Sequence, residues 1–246
     1  MATDERYVAF VDLLGFSDLV QNAWDDAMAK YKWFVELAET IENDSRTRHR
    51  WQGKPTTPDP DLIIASDSVI VVGEHLWRVL EMVQAVQTAA LLGNGMLVRG
   101  CVAFGKHFHE SGPNRYTVVS VPLSLAVAGE KLAHYPRVIL DRASGAERHG
   151  RGLMREGSPI VLPCDDGLMM VQPFILQAEY NLDHYENTLA QLAAKYVGTR
   201  HAPKWDWMHS CVRAVERHLE ELAEVGEEIE AERAREDALF AEDDER

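Results

Sequence analysis

Two short runs of apolar, largely β-branched residues each end on an aspartate. The first covers residues 7–12, Tyr-Val-Ala-Phe-Val-Asp, and the second covers residues 62–67, Leu-Ile-Ile-Ala-Ser-Asp. Such runs are typical of strands in a covered sheet. A carboxylate inside such a run is costly to desolvate unless it is paired, hydrogen-bonded or bound to a cation. The pattern therefore predicts two strands that carry Asp12 and Asp67 at their ends.

The remaining pattern alternates between helical and strand periodicity. The predicted elements, in chain order, are a strand ending at Asp12, a helix over 16–43, strands at 62–65 and 68–73, a helix over 74–92, strands at 96–107 and 115–121, a helix over 123–133 and a strand at 137–141. This order predicts an α+β protein with a mixed sheet flanked by helices.

Weaker patterns complete the chain. Residues 44–60 are predicted as loop, and short strands are expected near Val161 and over 167–172. A helical C-terminal extension is expected near 178–196 and 202–225. Beyond residue 226 the composition leaves little to bury, which predicts a frayed helix or a disordered tail.

Composition narrows the class of protein. With 246 residues, 46% of them hydrophobic, the chain can form a sizeable core. No apolar stretch approaches the roughly 18 residues of a membrane span, and the N-terminus lacks a signal-peptide pattern. The cysteines, Cys101, Cys164 and Cys211, are widely separated and odd in number. We therefore expect a cytoplasmic protein with reduced thiols and no membrane partner.

Charge argues against a nucleic-acid partner. The net charge is −15, and residues 220–246 hold 13 acidic and 3 basic side chains. Binding along a phosphate backbone needs clustered lysine and arginine. The one basic cluster, residues 46–50, is more typical of a solvated loop.

Asp12 is followed by Leu13, Leu14, Gly15, Phe16 and Ser17, and then by the first predicted helix. A helix start presents free N–H groups that suit phosphate oxygens, and Gly15 allows a tight turn. Two carboxylates are the donors that hard divalent cations prefer. One segment could therefore supply both a metal ligand and an anion-binding turn, and Asp67 would complete the metal site. The alternative is that each aspartate only caps a turn.

These residues carry a resemblance to a known family. The segment 10–17, Phe-Val-Asp-Leu-Leu-Gly-Phe-Ser, resembles the first metal motif of the class III nucleotidyl cyclases, and Ser66-Asp67-Ser68 resembles the second. The closest resemblance is to the bacterial pyrimidine cyclases of Pycsar anti-phage defence, which also carry an Arg-Gly strand and a late Lys-x-x-Trp segment. Arg99-Gly100 and Lys204-Trp205-Asp206-Trp207 match these. The resemblance covers residues 5–141 well and the remainder loosely.

The resemblance implies a ferredoxin-like cyclase fold and a homodimer with active sites at the interface. Asp12 and Asp67 would bind two divalent cations, Mn²⁺ or Mg²⁺, joined by the backbone carbonyl of Leu13. The N–H groups of Leu14, Gly15, Phe16 and Ser17 would hold the β- and γ-phosphates of a nucleoside triphosphate. The ribose 3′-oxygen would attack the α-phosphorus and release pyrophosphate.

Departures from the purine cyclases bear on the substrate. The base-reading lysine aligns with Ile63, and its polar partner aligns with Thr117, which we retain as a substrate-binding candidate. The ribose-orienting asparagine and the transition-state arginine align with Ser124 and Ala128. Loss of the specifying hydrogen bonds favours a pyrimidine. On general resemblance we favour UTP as the substrate, and CTP stays the alternative.

Two further side chains complete the predicted site. Arg99 is the candidate transition-state cation, because a charge within an apolar strand needs a specific partner; the alternative is a structural ion pair with a nearby carboxylate. Trp51 is a candidate for base stacking or phosphate contact, together with its loop neighbours Arg48, Arg50 and Lys54.

The predicted organisation is a cyclase-like catalytic core over 1–145, a partly helical segment over 146–225 that packs on the core, and an acidic tail over 226–246. The product would be a second messenger for antiviral defence, read by a separate effector protein. Two other functions stay open: a catalytically inactive, nucleotide-binding regulator, and another two-metal phosphoryl-transfer enzyme such as a nuclease.

Overall fold

A computed structural model of the chain describes residues 4–36, 60–112, 115–174, 178–214, 216–217 and 220. The strands are β1 (Asp4–Leu13), β2 (Asp61–Ala65), β3 (Ser68–Gly73), β4 (Val98–Gly112), β5 (Arg115–Ser120), β6 (Val138–Leu140), β7 (Val161–Pro163) and β8 (Met169–Val171). The helices are α1 (Phe16–Asn22), α2 (24–36), α3 (Leu76–Asn94), α4 (Val121–Glu130), α5 (Ala146–Arg155), α6 (Ala178–Tyr196) and α7 (202–214), with a 3₁₀ turn at Lys131–Ala133.

The strands form one mixed sheet in the order β2-β3-β1-β4-β6-β8-β7, and β5 pairs with the far half of β4. β1 lies between β3 and β4 and is antiparallel to both. The β4–β6 pair is parallel. In this register Asp12 lies opposite Ser68 on one side and opposite Arg99 on the other. The end of β1 is therefore enclosed by two strands.

Helices cover both faces of the sheet. Because side chains alternate along a strand, Val11 and Leu13 point into the larger core, which α3 closes with Val79, Leu80 and Val83. Phe10 and Cys101 pack on the opposite face beneath Ala126 of α4, in a smaller core. Alternation places Asp12 and Arg99 on this α4 face.

Two glycines allow close packing near the site. A Cβ atom on Gly100 would lie 2.3 Å from the carbonyl oxygen of Phe10, and one on Gly129 would lie 2.6 Å from Sγ of Cys101. Both positions therefore need the smallest side chain, the first for the β1–β4 contact and the second to seat α4 on β4. This packing fixes the height of α4 above the end of β1.

The predicted α+β plan, with a mixed sheet flanked by helices, is confirmed. The hairpin with Asp67 at its tip is present, and α3 ends at Asn94 before Gly95, which has φ +59°. The prediction of one continuous helix from residue 16 was wrong, because the chain leaves helical geometry at Ala23. There the side chain of Asn22 donates to the carbonyl of Asp18 at 2.8 Å, a local bond that competes with helix continuation. The remainder of that prediction, 37–43, lies outside the described residues.

The C-terminal half adds α5, which the sequence pattern did not predict, and two strands that extend the same sheet. Helices α6 and α7 pack on the end of α3 through a third core; its buried members are Leu91, Leu97, Met170, Phe174, Tyr185, Leu189, Trp205, Met208, Cys211 and Val212. The predicted division of the chain at 145 stays a prediction. Within the described residues, no helix combines the length and apolar character needed to cross a membrane. The predicted tail beyond 226 is outside the described part.

Candidate active site

The two predicted metal aspartates lie side by side. The Leu13 N–H donates to the backbone carbonyl of Asp67 at 2.8 Å, which joins the hairpin tip to the end of β1. Ser17 Oγ donates to Oδ2 of Asp67 at 3.0 Å. The hairpin reaches this position through Ser66, which has φ +58°, an uncommon conformation for a residue with a side chain. Asp67 is therefore held between the end of β1 and the start of α1.

Asp12 lies in a strongly perturbing environment. Partial burial, and then the negative charges of Asp67 and Glu130, raise its pKa from 3.8 to about 6, against the opposing effect of Arg99. Like charges this close disfavour joint ionisation. The fold therefore concentrates negative charge at one end of β1, as a cation site requires.

The turn after β1 has the predicted shape. Gly15 has φ +83°, so it occupies the left-handed region that glycine tolerates, and a Cβ atom there would meet no neighbour. Phe16 anchors the turn in the core next to Tyr31, with ring centroids 6.0 Å apart. Ser17 is exposed. The turn is thus open on its outer side and fixed on its inner side.

One predicted phosphate donor is already occupied. The Leu14 N–H donates to the backbone carbonyl of Leu97 at 2.8 Å, and the Leu14 side chain packs against the third core. The prediction that the Leu14 amide binds phosphate therefore needs correction, because that donor is used within the fold. Gly15, Phe16 and Ser17 stay as candidates.

Arg99 forms an ion pair with Glu130, the last residue of α4. The Glu130 side chain is only 8% exposed, whereas that of Arg99 is 29% exposed. This pair is the structural alternative that the sequence left open, and it ties the end of α4 to the start of β4. Arg99 still lies directly opposite Asp12, so its charge acts on the site even while it is paired.

The donors present fit the divalent cations that the resemblance implies. Two mutually repelling carboxylates lie beside the backbone of Leu13, and these are oxygen ligands of the kind that Mg²⁺ and Mn²⁺ accept. Over the described ranges, no group of three or more His, Cys, Asp or Glu side chains is placed to hold a metal ion. Such a site would rely on substrate phosphate oxygens for its other ligands, as magnesium sites in phosphoryl-transfer enzymes do.

The other predicted residues lie elsewhere. Thr117 lies on β5 and pairs with Glu110 of β4, which is eleven residues further along β4 than Arg99. At about 3.3 Å per residue that is roughly 35 Å along the strand. Thr117 therefore does not join Asp12 within one protomer. Trp51 and its loop neighbours lie outside the described residues.

Three other aligned positions lack the chemistry of the purine cyclases. Ile63, aligned with the base-reading lysine, lies in β2 opposite Ile70. Ser124 and Ala128, aligned with the ribose-orienting asparagine and the transition-state arginine, are exposed on α4. Glu130 is a site residue that the sequence reasoning missed. An acid at the end of an otherwise apolar helix, Val-Pro-Leu-Ser-Leu-Ala-Val-Ala-Gly-Glu, was the signal available.

A cavity of about 300 Å³ opens beside the glycine turn. Its walls include Gly15, the segment 95–97 before β4, and four residues of the C-terminal part: Tyr196 of α6, His201 in the following turn, and Lys204 and Trp205 of α7. The sequence pattern did not predict this contact, because it depends on how α6 and α7 pack.

No family model and no curated protein matches the sequence. Solved structures similar to the chain include the adenylyl cyclase CyaB from P. aeruginosa, 12% identical over 70% of this chain and 96% of its own, with a TM-score of 0.49. The guanylyl cyclase Cya2 is 12% identical over 70% of this chain and 93% of its own, with a TM-score of 0.43. A dimeric guanylyl cyclase domain of the RhoGC fusion protein from Blastocladiella emersonii is 13% identical over 69% of this chain and 96% of its own, with a TM-score of 0.49.

Proposed function

We propose that the chain is a nucleotidyl cyclase that converts a pyrimidine nucleoside triphosphate, with UTP favoured, to its 3′,5′-cyclic monophosphate and pyrophosphate. One observation carries the proposal: Asp12 and Asp67 meet at the end of β1 closely enough for one charge to raise the pKa of the other carboxyl. Next to them lies a glycine turn whose outer side is open. Metal-dependent phosphoryl transfer needs this combination.

In the proposed site, Asp12, Asp67 and the carbonyl of Leu13 would hold two divalent cations. When bound, such cations lower the pKa of the attacking hydroxyl and offset charge on the leaving pyrophosphate. The amides of Gly15, Phe16 and Ser17 would orient the β- and γ-phosphates. Ser17 would also keep Asp67 in place through its hydrogen bond. Positioning and charge stabilisation would supply most of the acceleration.

Pyrimidine selectivity is supported by what the site lacks. The base-reading lysine of purine cyclases aligns with Ile63, an apolar side chain that offers a base no hydrogen bond. A purine would lose its specifying hydrogen bonds there. CTP, giving cyclic CMP, is the second candidate. The cyclic product would serve as a second messenger in antiviral defence, sensed by a separate effector.

We further propose that the enzyme is a homodimer with its active sites at the interface. Support comes from Thr117, which lies too far along the sheet to reach Asp12 of its own protomer. β5 and α4 also expose Val119, Val121 and Val127, an apolar surface that a second copy would cover. A two-fold arrangement would carry each Thr117 toward the other protomer's site.

The test is a comparison of UTP, CTP, ATP and GTP as substrates with Mn²⁺ or Mg²⁺. The expected result is cyclic product from a pyrimidine, with kcat reduced at least about 100-fold by Asp12→Asn or Asp67→Asn. Asp61→Asn is the matched control, because Asp61 belongs to the same hairpin but is exposed at its other end. Binding of nucleotide without any cyclic product would instead identify an inactive regulator. Release of mononucleotides from RNA or DNA would identify a nuclease.

A further inference from the structure

Lys204 differs from the other cations near the site. It is half-buried in the first turn of α7 and lines the cavity beside Gly15. No carboxylate in the described part of the chain forms an ion pair with its ammonium group. A partly desolvated cation without a counter-ion is unfavourable. In a protein of net charge −15, a lysine without a carboxylate partner among the described residues calls for a specific explanation.

The neighbouring charges make this position less favourable. Burial, and then the positive charges of Arg99 and Arg200, lower the pKa of Lys204. Arg99 is paired with Glu130, and Arg200 is paired with Asp18 at 2.9 Å. Both arginines therefore have carboxylate partners, whereas Lys204 has none among the residues that the structure describes. The start of α7 adds the positive end of a helix dipole.

Lys204 lines the same cavity as the glycine turn, so its positive charge faces the space beside Gly15. Leu14, Gly15 and Lys204 all line the cavity. Asp18 lines it too, but its carboxylate is paired with Arg200. Lys30, also in the wall, donates to the backbone carbonyl of Asn94. An anion entering next to the turn would therefore meet the ammonium of Lys204. A volume of about 300 Å³ is at the lower end for ligand pockets and has room for phosphoryl groups.

We propose that Lys204 binds a terminal phosphate of the nucleotide substrate, so that the C-terminal helices complete the triphosphate site. This inference rests on the proposed function. The phosphate would be the counter-ion of Lys204. The Lys204 ammonium and the start of α7 would then lie against the pyrophosphate leaving group. An ammonium suits this role, because it is a compact charge that needs no fixed donor geometry.

The test measures binding of inorganic tripolyphosphate with Mg²⁺ by calorimetry on the full chain. Lys204→Gln is expected to weaken binding by about 10- to 100-fold, the range for a charge-assisted hydrogen bond. Lys204→Arg keeps the charge and is expected to retain most of the affinity. Lys106→Gln is the matched control, because Lys106 is exposed on β4 opposite Glu5, away from the cavity. With nucleotide as substrate, Lys204→Gln is also expected to raise KM. If Lys204 had only a structural role, Lys204→Arg would not retain more affinity for tripolyphosphate than Lys204→Gln.

Two results overturn the inference: wild-type affinity in Lys204→Gln, or no tripolyphosphate binding by the wild type. A loss of folding in Lys204→Gln is not expected, since no carboxylate in the described ranges would lose an ion-pair partner, and circular dichroism checks this. Failure of the proposed function has a different signature. In that case tripolyphosphate binds through Lys204, and none of the four nucleoside triphosphates yields a cyclic product.

Discussion

Replacing Asp12 with asparagine is expected to stabilise the metal-free protein at neutral pH while abolishing activity. Burial and the charges of Asp67 and Glu130 raise the pKa of Asp12 from 3.8 to about 6. The folded state therefore holds the Asp12 proton more tightly than the unfolded state. Its contribution to stability is fully present below about pH 4, is lost as the pH rises through about 6, and is absent at pH 7.5.

The magnitude follows from the shift. Two pKa units at about 1.4 kcal/mol each give an upper limit of about 3 kcal/mol. Because Asp12 is only partly buried, solvent screening reduces the expected gain for Asp12→Asn to about 1–2 kcal/mol at pH 7.5. The gain is expected to shrink at pH 5, to be small at pH 4, and to vanish only below about pH 3, where the wild-type carboxyl is protonated in both the folded and the unfolded state.

The assay is urea unfolding, followed by tryptophan fluorescence in the presence of a chelator, at pH 7.5, 5 and 4. Asp61→Asn serves as the control and is expected to change stability by less than about 0.5 kcal/mol, as for exposed sites. Adding Mn²⁺ with nucleotide should stabilise the wild type and not Asp12→Asn. Two results would show that the fold does not raise the pKa of Asp12. One is an Asp12→Asn variant that is less stable than the wild type at pH 7.5, and the other is a gain in the free energy of unfolding that persists unchanged at pH 4.

Three further predictions follow from the packing and the proposed assembly. Arg99→Ala should destabilise the protein by about 1–3 kcal/mol in urea unfolding, because it leaves the buried Glu130 unpaired. The double variant Arg99→Ala/Glu130→Gln should recover this stability. If Arg99 also acts on the substrate, the double variant should not recover turnover. Gly129→Ala should cost about 1–3 kcal/mol by forcing a Cβ against Cys101, whereas Gly152→Ala, with open space around it, should be neutral or stabilising by thermal melting. Asp12→Asn and Thr117→Trp should each be inactive alone, and mixing the two variants should restore cyclase activity if each site is built from both protomers. A mixture that stays inactive would contradict the shared-site dimer.

Much of the sheet could be predicted because its signals are local. The apolar runs around Asp12 and Asp67 show strand periodicity, and Gly95 marks the end of α3. The pairing of both aspartates followed from one physical argument, that a carboxylate in an apolar run needs a partner. These features depend on residues close in sequence, so pattern and turn chemistry were sufficient.

The errors depend on contacts that sequence spacing does not show. Helix α5 contains Gly150 and Gly152, which weaken a helical prediction. The structure gives the first of these a reason, since a Cβ atom on Gly150 would lie 2.4 Å from a methyl group of Leu140. The Arg99–Glu130 pair joins residues far apart in the chain, and the placement of Lys204 beside Gly15 depends on the packing of α6 and α7. Helix α5, the ion pair and the position of Lys204 all depend on tertiary packing.

Cyclase activity is best measured through the products formed from UTP with Mn²⁺, quantified over time by mass spectrometry. We expect cyclic UMP and pyrophosphate in equal amounts, and neither product from Asp67→Asn. Linear UMP, UDP with phosphate, or no turnover of UTP, CTP, ATP or GTP would rule out the proposed cyclase.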